Sequence, residues 1–223
     1  MIDLSVRATE PELLDAGVPD DEVRHSLADL RLVNRLLGGR RALLGTVLPL
    51  LDGLPATPSL LDVGCGSADL PALVAARARR PVRVVGLDLK ALHIREAPTP
   101  VRRVVADVRR LPFAPGRFDV VTASLFLHHF DGPEVARVLA SLWSLARRAL
   151  VVNDLRRARV PYLFGRLVFP RIFRTQVSVV DGLVSIRRSF TRSELAAAFA
   201  EAGIHAVTIR RSFPYRLLAV ATR

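Results

Sequence analysis

The spacing of apolar residues changes character along the chain, and that change divides it. Within residues 8 to 54, Val23, Leu27, Leu30, Val33, Leu36 and Leu37 recur mostly at steps of three or four, which predicts a helix with one buried face. Thr9 and Glu12 ahead of Leu13-Leu14 have the form of a capping box, and Asp20 or Asp21 can cap the helix that restarts after Gly17-Val18-Pro19. A third helix is expected from about Arg40 to Asp52, then a linker from Pro55 to Pro58. Beyond it, short apolar runs alternate with helical stretches. Strands are predicted at about 59–63, 82–87, 102–105, 118–123 and 149–153, with helices near 70–79, 90–96 and 133–147. A Thr191/Glu194 capping box opens another helix that ends at Gly203, and Ala206–Arg210 and Leu217–Thr222, joined by a turn at Pro214, form a closing antiparallel pair. Strand and helix in alternation predict an α/β fold, a mostly parallel sheet with helices on both faces.

One turn carries the candidate chemistry. Leu60 to Val63 read as the end of a buried strand, and Gly64-Cys65-Gly66 then allow a tight turn with no Cβ beside a ligand. Asp69 can cap the helix that follows, and Pro71 is tolerated in its first turn. Strand, glycine turn and helix N-terminus together make a nucleotide-sized cradle. The next strand, Val82 to Asp88, ends in a carboxylate 22 positions after Gly66, where a Rossmann-like site holds ribose hydroxyls. A solvated strand end is the alternative for Asp88 alone.

Asp62-Val63-Gly64-Cys65-Gly66, Gly86-Leu87-Asp88, Ala106-Asp107-Val108-Arg109-Arg110-Leu111-Pro112-Phe113 and Phe118 to Ser124 resemble, in order and spacing, the motifs of class I S-adenosylmethionine-dependent methyltransferases. Within that family the chain looks most like the small-molecule enzymes of the ubiquinone/menaquinone group. The resemblance implies a Rossmann-like methyltransferase fold: a seven-stranded, mostly parallel sheet with an N-terminal helical cap over residues 1–54 and a core over 55–223. It implies that Gly64, Cys65 and Gly66 approach the methionine end of the cofactor and that Asp62 orders their turn. By the same resemblance Asp88, with Leu89, takes the ribose, Asp107 accepts from the adenine amine beside Val108, and Ser124 and Leu125 meet the amino-acid tail. Asn34, in Asn34-Arg35-Leu36-Leu37-Gly38-Gly39, is similar to a segment that covers the site; a helix C-cap is its alternative role. Ala68 stands where the family often has a third glycine.

Length and composition narrow the setting. With 223 residues, half of them hydrophobic, one sizeable core is expected. No uncharged apolar run reaches the roughly 18 residues of a membrane span, and Met1 to Arg7 lack the pattern of a secretion signal. Cys65 is the single cysteine, so a reducing cytoplasm is the expected location. The net charge of +12 invites a nucleic-acid reading, but the arginines scatter in pairs (Arg40-Arg41, Arg156-Arg157, Arg187-Arg188 and others) and are read as solvated surface.

Residues 155–189 are the expected substrate lid. Tyr162 and Phe169 stand among its apolar residues, and Pro170 is read as a break. A membrane-surface helix and plain core packing are the competing readings of this segment. His128 and His129 follow the fourth predicted strand, where an imidazole could take a phenol's proton. His128, Asn153, Tyr162, Phe169 and Asn34 are the candidate substrate contacts. No carboxylate–histidine set has metal-ligand spacing along the chain, so no metal is expected. The reading is S-adenosylmethionine-dependent methylation of a small apolar aromatic acceptor, most simply O-methylation of a phenol, quinol or polyketide-derived hydroxyl, by a monomer or homodimer without stable membrane insertion. RNA methylation and a non-catalytic cofactor-binding protein are the alternatives.

Overall fold

The computed structural model describes residues 3–54 and 57–223. Met1, Ile2, and the linker residues Pro55 and Ala56 lie outside the described residues. Three helices come first: α1 (Leu13–Ala16), α2 (Asp20–Leu36) and α3 (Gly39–Asp52). The sheet then builds through β1 (Ser59–Val63), α4 (Asp69–Arg77), β2 (Arg83–Asp88), α5 (Ala91–Arg95), β3 (Arg102–Val105), β4 (Phe118–Ser124), α6 (Glu134–Leu145) and β5 (Ala146–Leu155). Two helices, α7 (Arg159–Ile172) and α8 (Gln176–Arg188), precede α9 (Arg192–Glu201), β6 (Val207–Ser212) and β7 (Arg216–Thr222).

The strands form one seven-stranded sheet in the order β3-β2-β1-β4-β5-β7-β6, parallel except that β7 runs antiparallel to β5 and β6. This confirms the expected architecture. The order reverses between β1 and β4, and such a switch point opens a crevice at the carboxyl ends of the strands. Register makes that edge level: Val63 pairs with both Leu87 and Ala123. The loops after β1, β2 and β4 therefore emerge side by side. Fully buried β1 residues explain its unbroken apolar run, with Asp62 as the exception that needs a partner. One core lies between the sheet and α6 and α9, around Leu139, Leu142 and Phe199; the other lies under α3 and α4, around Leu43, Val47 and Val74.

Several local expectations need correction. Thr9 caps nothing. The residue before α1 is Glu12, whose carboxylate accepts from Ser185 Oγ at 2.5 Å instead of closing a capping box. Neither Asp20 nor Asp21 caps α2; both lie in its first turn after Pro19, where their charge still suits the helix dipole. Asp69 is likewise the first helical residue of α4 rather than its cap. Pro170 does not break α7, which continues to Ile172. Only two residues follow it there, and Phe169 is wedged where α7 and α8 are both glycine: a Cβ on Gly165 or Gly182 would lie 2.8 or 2.9 Å from its ring. The Thr191/Glu194 capping box is present.

The arginine pairs are not all solvated surface. Arg157 and Arg188 are buried, and each ties the N-terminal strand of chain to the core. Arg188 donates to the backbone carbonyls of Thr9 and Glu10 and to those of His128 and His129 (2.8–3.0 Å). Arg157 bonds the carbonyls of Leu4 and Ser5 and the carboxylate of Glu194. A guanidinium presents five donors in a fixed fork, which lets one residue join three segments. These arginines place Glu12 beside the loop after β4.

Candidate active site

A single cavity of about 370 Å³ lies over the carboxyl ends of β1, β2 and β4. Its floor includes Asp62, Gly64, Cys65, Asp88, Leu89, Asp107, Val108, Ser124 and Leu125, all expected at a cofactor site. Gly66 lies just outside the wall, with its N–H donating to Asp88 Oδ2 at 2.8 Å. Asp88 Oδ1 accepts from Lys90 N at 3.0 Å and lies 3.4 Å from His93 Nδ1. One carboxylate thus ties the β1 turn to the β2 tip and keeps lone pairs for a ligand. Asp107 accepts from Arg109 N at 2.9 Å, so it is a turn residue as well as part of the wall.

Backbone conformation explains the glycine turn. Gly64 has φ +64°, and a Cβ there would sit 2.1 Å from the Phe126 ring. Ala68 also adopts a left-handed conformation, φ 55°, where a third glycine would have been easiest. That conformation costs an alanine about 1–2 kcal/mol. Its fully buried methyl recovers about 0.8 kcal/mol, so the departure is tolerated at small net cost. Leu125, φ 53°, is the other strained residue, and it is held by a bond from its N–H to Asn153 O at 3.0 Å.

Asp62 is buried, and its Oδ1 accepts from Thr122 Oγ1 at 2.5 Å. Burial pushes its carboxyl up to about 7, a shift Thr122 only partly opposes. Two other polar atoms in the wall, Asp29 Oδ1 and His93 Nε2, are buried and form no hydrogen bond among the described residues. Asp69 Oδ2 is also buried and faces the Arg40 guanidinium at 3.6 Å. Buried polar atoms without partners are uncommon, and two along one cavity fit a polar ligand with hydroxyls and an amino-acid tail. Neither was singled out as a ligand contact by the sequence.

The other end of the cavity carries the histidines. His128 is buried between two carboxylates, with Nδ1 2.6 Å from Asp154 Oδ1 and Nε2 3.3 Å from Glu12 Oε1. Burial alone would lower its pKa; Asp154 and Glu12 overcome that and raise it to about 10. His128 is therefore a cation at neutral pH and not a base, which corrects half of the expected pair. His129 stacks on it at 4.5 Å between ring centroids, is partly exposed, and holds Asp15 Oδ2 through Nδ1 at 2.7 Å. Its Nε2, 3.9 Å from Glu12 Oε2, makes no hydrogen bond among the described residues. Burial pushes Glu12 up, but His129 and His128 together hold it below the usual carboxylate range.

Donor atoms of Glu12, His128 and His129 lie within 4.8 Å of one another. The expectation that no carboxylate–histidine set is suitably spaced is thus corrected in space, though it holds along the chain. The His128 imidazolium bridges Asp154 and Glu12 in that cluster.

Apolar residues complete the wall: Leu30, Val33 and Leu37 from α2 and its end, Leu155 from β5, and Phe169 and Phe173 from the α7 region. Two candidate substrate contacts fall elsewhere. Tyr162 is buried against Phe169 and Ile186, and Asn153 is fully buried with its Nδ2 3.4 Å from Ser124 Oγ. Asn34 lines the cavity, and its Oδ1 accepts from the buried Arg216 at 3.1 Å; it is not a C-cap.

His128 makes a prediction about stability. An unfolded histidine releases its proton near 6.5, so this one stabilises the fold fully below that pH and loses the effect as pH rises through about 10. Thermal midpoints should fall steadily from pH 7 to 10, and more steeply in wild type than in His128→Gln. Equal slopes would show that the proton is not held.

The fold and the glycine turn are similar to those of class I methyltransferases. Residues 60–149 match the family model described as "Methyltransferase domain". Within that class, the chain is similar to the quinone methyltransferases. It is 28% identical to the demethylmenaquinone methyltransferase of Lactiplantibacillus plantarum over 179 residues, 71% of this chain and 75% of that one. It is 36% identical to an uncharacterized methyltransferase of Mycobacterium tuberculosis over 101 residues, 43% of this chain and 47% of the relative, about half that relative's length. Among solved structures, the plantazolicin methyltransferase BpumL, in complex with a desmethylPZN analog and SAH, shares the fold with a TM-score of 0.68 at 13% identity, covering 92% of this chain and 99% of its own. The resemblance read from the sequence is borne out.

Proposed function

We propose that the protein transfers the methyl group of S-adenosylmethionine to a hydroxyl of a small apolar aromatic acceptor, a phenol or quinol. The observation that carries this reading is the single cavity joining the strand tips, the histidine–carboxylate cluster and an apolar wall. When bound, S-adenosylmethionine supplies an electrophilic methyl on a sulfonium with a neutral thioether leaving group. Asp88 would hold the ribose hydroxyls, Asp107 the adenine amine and the Gly64–Cys65 turn the amino-acid tail. Phe169, Phe173, Leu37 and Leu155 seat a flat apolar ring and exclude water. Dryness matters because an anionic nucleophile and a cationic methyl donor lose charge together, and water would favour the separated charges. Holding both reactants in line supplies roughly 7–11 kcal/mol in favourable systems.

His129 takes the hydroxyl proton at Nε2, with Asp15 fixing its tautomer through Nδ1. His128, already protonated, holds Glu12 and with it the chain segment that covers the site. An acceptor screen, following S-adenosylhomocysteine release and locating the new methyl by NMR, tests this. Turnover on phenols or quinols with the methyl on oxygen is expected; methyl transfer to carbon or nitrogen alone would contradict the oxygen specificity, and turnover confined to RNA would contradict the acceptor class.

A further inference from the structure

The outer face of α7 bears an apolar stripe that no described residue covers. Val160, Leu163 and Leu167, at helical spacing, are 59%, 60% and 63% exposed. Two more exposed apolar side chains flank them. Phe213, 81% exposed, sits in the β6–β7 turn, which is brought to α7 by the contact of Tyr215 with Phe164 (5.4 Å between centroids). Leu36, 57% exposed, ends α2, where Gly38 packs against the Phe213 carbonyl. Scattered exposed leucines are ordinary on a protein surface; a stripe joined by two neighbouring segments is not.

Charge decides what would cover it. Residues 156–174 contain six arginines and no acidic residue. Arg159, Arg166, Arg171 and Arg174 are exposed and form no ion pair among the described residues. A second copy meeting this face about a two-fold axis would set the same arginines against each other. An RNA would satisfy the arginines but leave the leucines in water. A surface offering both negative headgroups and an apolar layer satisfies both.

We propose that α7 docks on an anionic lipid bilayer, lying in its surface with Val160, Leu163, Leu167 and Phe213 in the headgroup–acyl boundary and the arginines among the headgroups. The helix is too short to span, and no described helix is long and apolar enough to cross a membrane. Docking also has a consequence for the site. The inner side of the same helix contributes Phe169 to the cavity wall, so an apolar acceptor dissolved in the lipid would reach the cavity along α7. That consequence rests on the proposed acceptor; the docking itself does not.

Co-sedimentation with vesicles tests it without any acceptor. The full chain should bind phosphatidylcholine vesicles containing about half phosphatidylglycerol and not phosphatidylcholine alone, and salt should weaken the binding. Arg166→Gln with Arg171→Gln should weaken it roughly 25-fold, about fivefold for each charge. Leu163→Asp with Leu167→Asp should reduce it at least about tenfold, with the thermal midpoint and S-adenosylhomocysteine affinity unchanged because both sites are exposed. Absence of binding to the anionic vesicles would overturn the proposal, as would binding indifferent to the leucine pair. A dimer broken by that pair would assign the face to self-association instead. Binding to bulk tRNA that needs the arginines but not the leucines, without vesicle binding, would also overturn it.

Discussion

His129→Ala is expected to lower kcat by about 10²–10³-fold while leaving the affinity for S-adenosylhomocysteine unchanged, because a positioned base contributes on that scale and His129 lies at the acceptor end of the cavity. Asp15→Asn should cost less, roughly tenfold, since it removes the group that fixes the imidazole rather than the base. His128→Gln should behave differently. Its proton is held up to about 10, so its loss should appear as lowered stability rather than as a lost acidic limb in the pH–rate profile, which is where a general base titrates. The discriminating measurement is that profile, taken with the acceptor found by the screen. An unchanged kcat in His129→Ala would remove the base assignment; a larger kcat loss in His128→Gln than in His129→Ala would move it to the wrong ring.

Gly64→Ala is expected to weaken S-adenosylhomocysteine binding at least about tenfold and to lower the thermal midpoint by roughly 4–20 °C. Two costs add. A left-handed residue with a Cβ costs about 1–2 kcal/mol. The new methyl would also lie 2.1 Å from Phe126, and forcing that ring aside costs about 1–3 kcal/mol. The sum of roughly 2–5 kcal/mol, at about 2–4 °C per kcal/mol for a chain of this size, gives the expected shift. The variant should still fold, since native stabilities run to about 5–15 kcal/mol. Binding suffers because Phe126 sits in the same cavity wall as Gly64. Differential scanning calorimetry and a binding titration read the two effects separately. A variant with wild-type affinity would show that the turn does not touch the ligand.

What the sequence revealed was local in origin. The strand–glycine–helix turn, Asp88 at the next strand tip and the alternation of strands with helices each depend on neighbours within a few residues, and each is where it was expected. The Thr191/Glu194 box is equally local and equally present. Failures occurred where a side chain had a distant partner. Glu12 looked like a helix-capping residue, yet its carboxylate serves His128 and Ser185, far along the chain. Arg157 and Arg188 looked like two members of a repeated surface pair, and only the fold shows that they fasten the N-terminal segment over the site. Nothing in the sequence links Asp154, near the end of β5, to His128. Pro170 would ordinarily break a helix, but it falls in the last turn of α7, where little helix remains to be lost; the packing of Gly165 and Gly182 around Phe169 has no signature in either segment alone.

The same distinction separates the two ends of the cavity. The glycine turn, Asp88 and Ser124 lie at adjacent strand tips in register, so spacing brings them together. The other end of the cavity is assembled from α1, the loop after β4, β5 and α7, and no spacing rule links those segments. His93 and Asp29, whose unpartnered atoms point to a polar ligand, could not be told from ordinary core or surface residues without the cavity.

All of this depends on the tips of β1, β2 and β4 forming one adenosyl-binding cradle, and isothermal titration of the purified full chain with S-adenosylhomocysteine tests that most directly. One site per chain, lost on Asp88→Ala with the fold retained by circular dichroism, is the predicted result. No heat and no binding of either S-adenosylhomocysteine or S-adenosylmethionine by a folded sample, or binding indifferent to Asp88, would contradict the account.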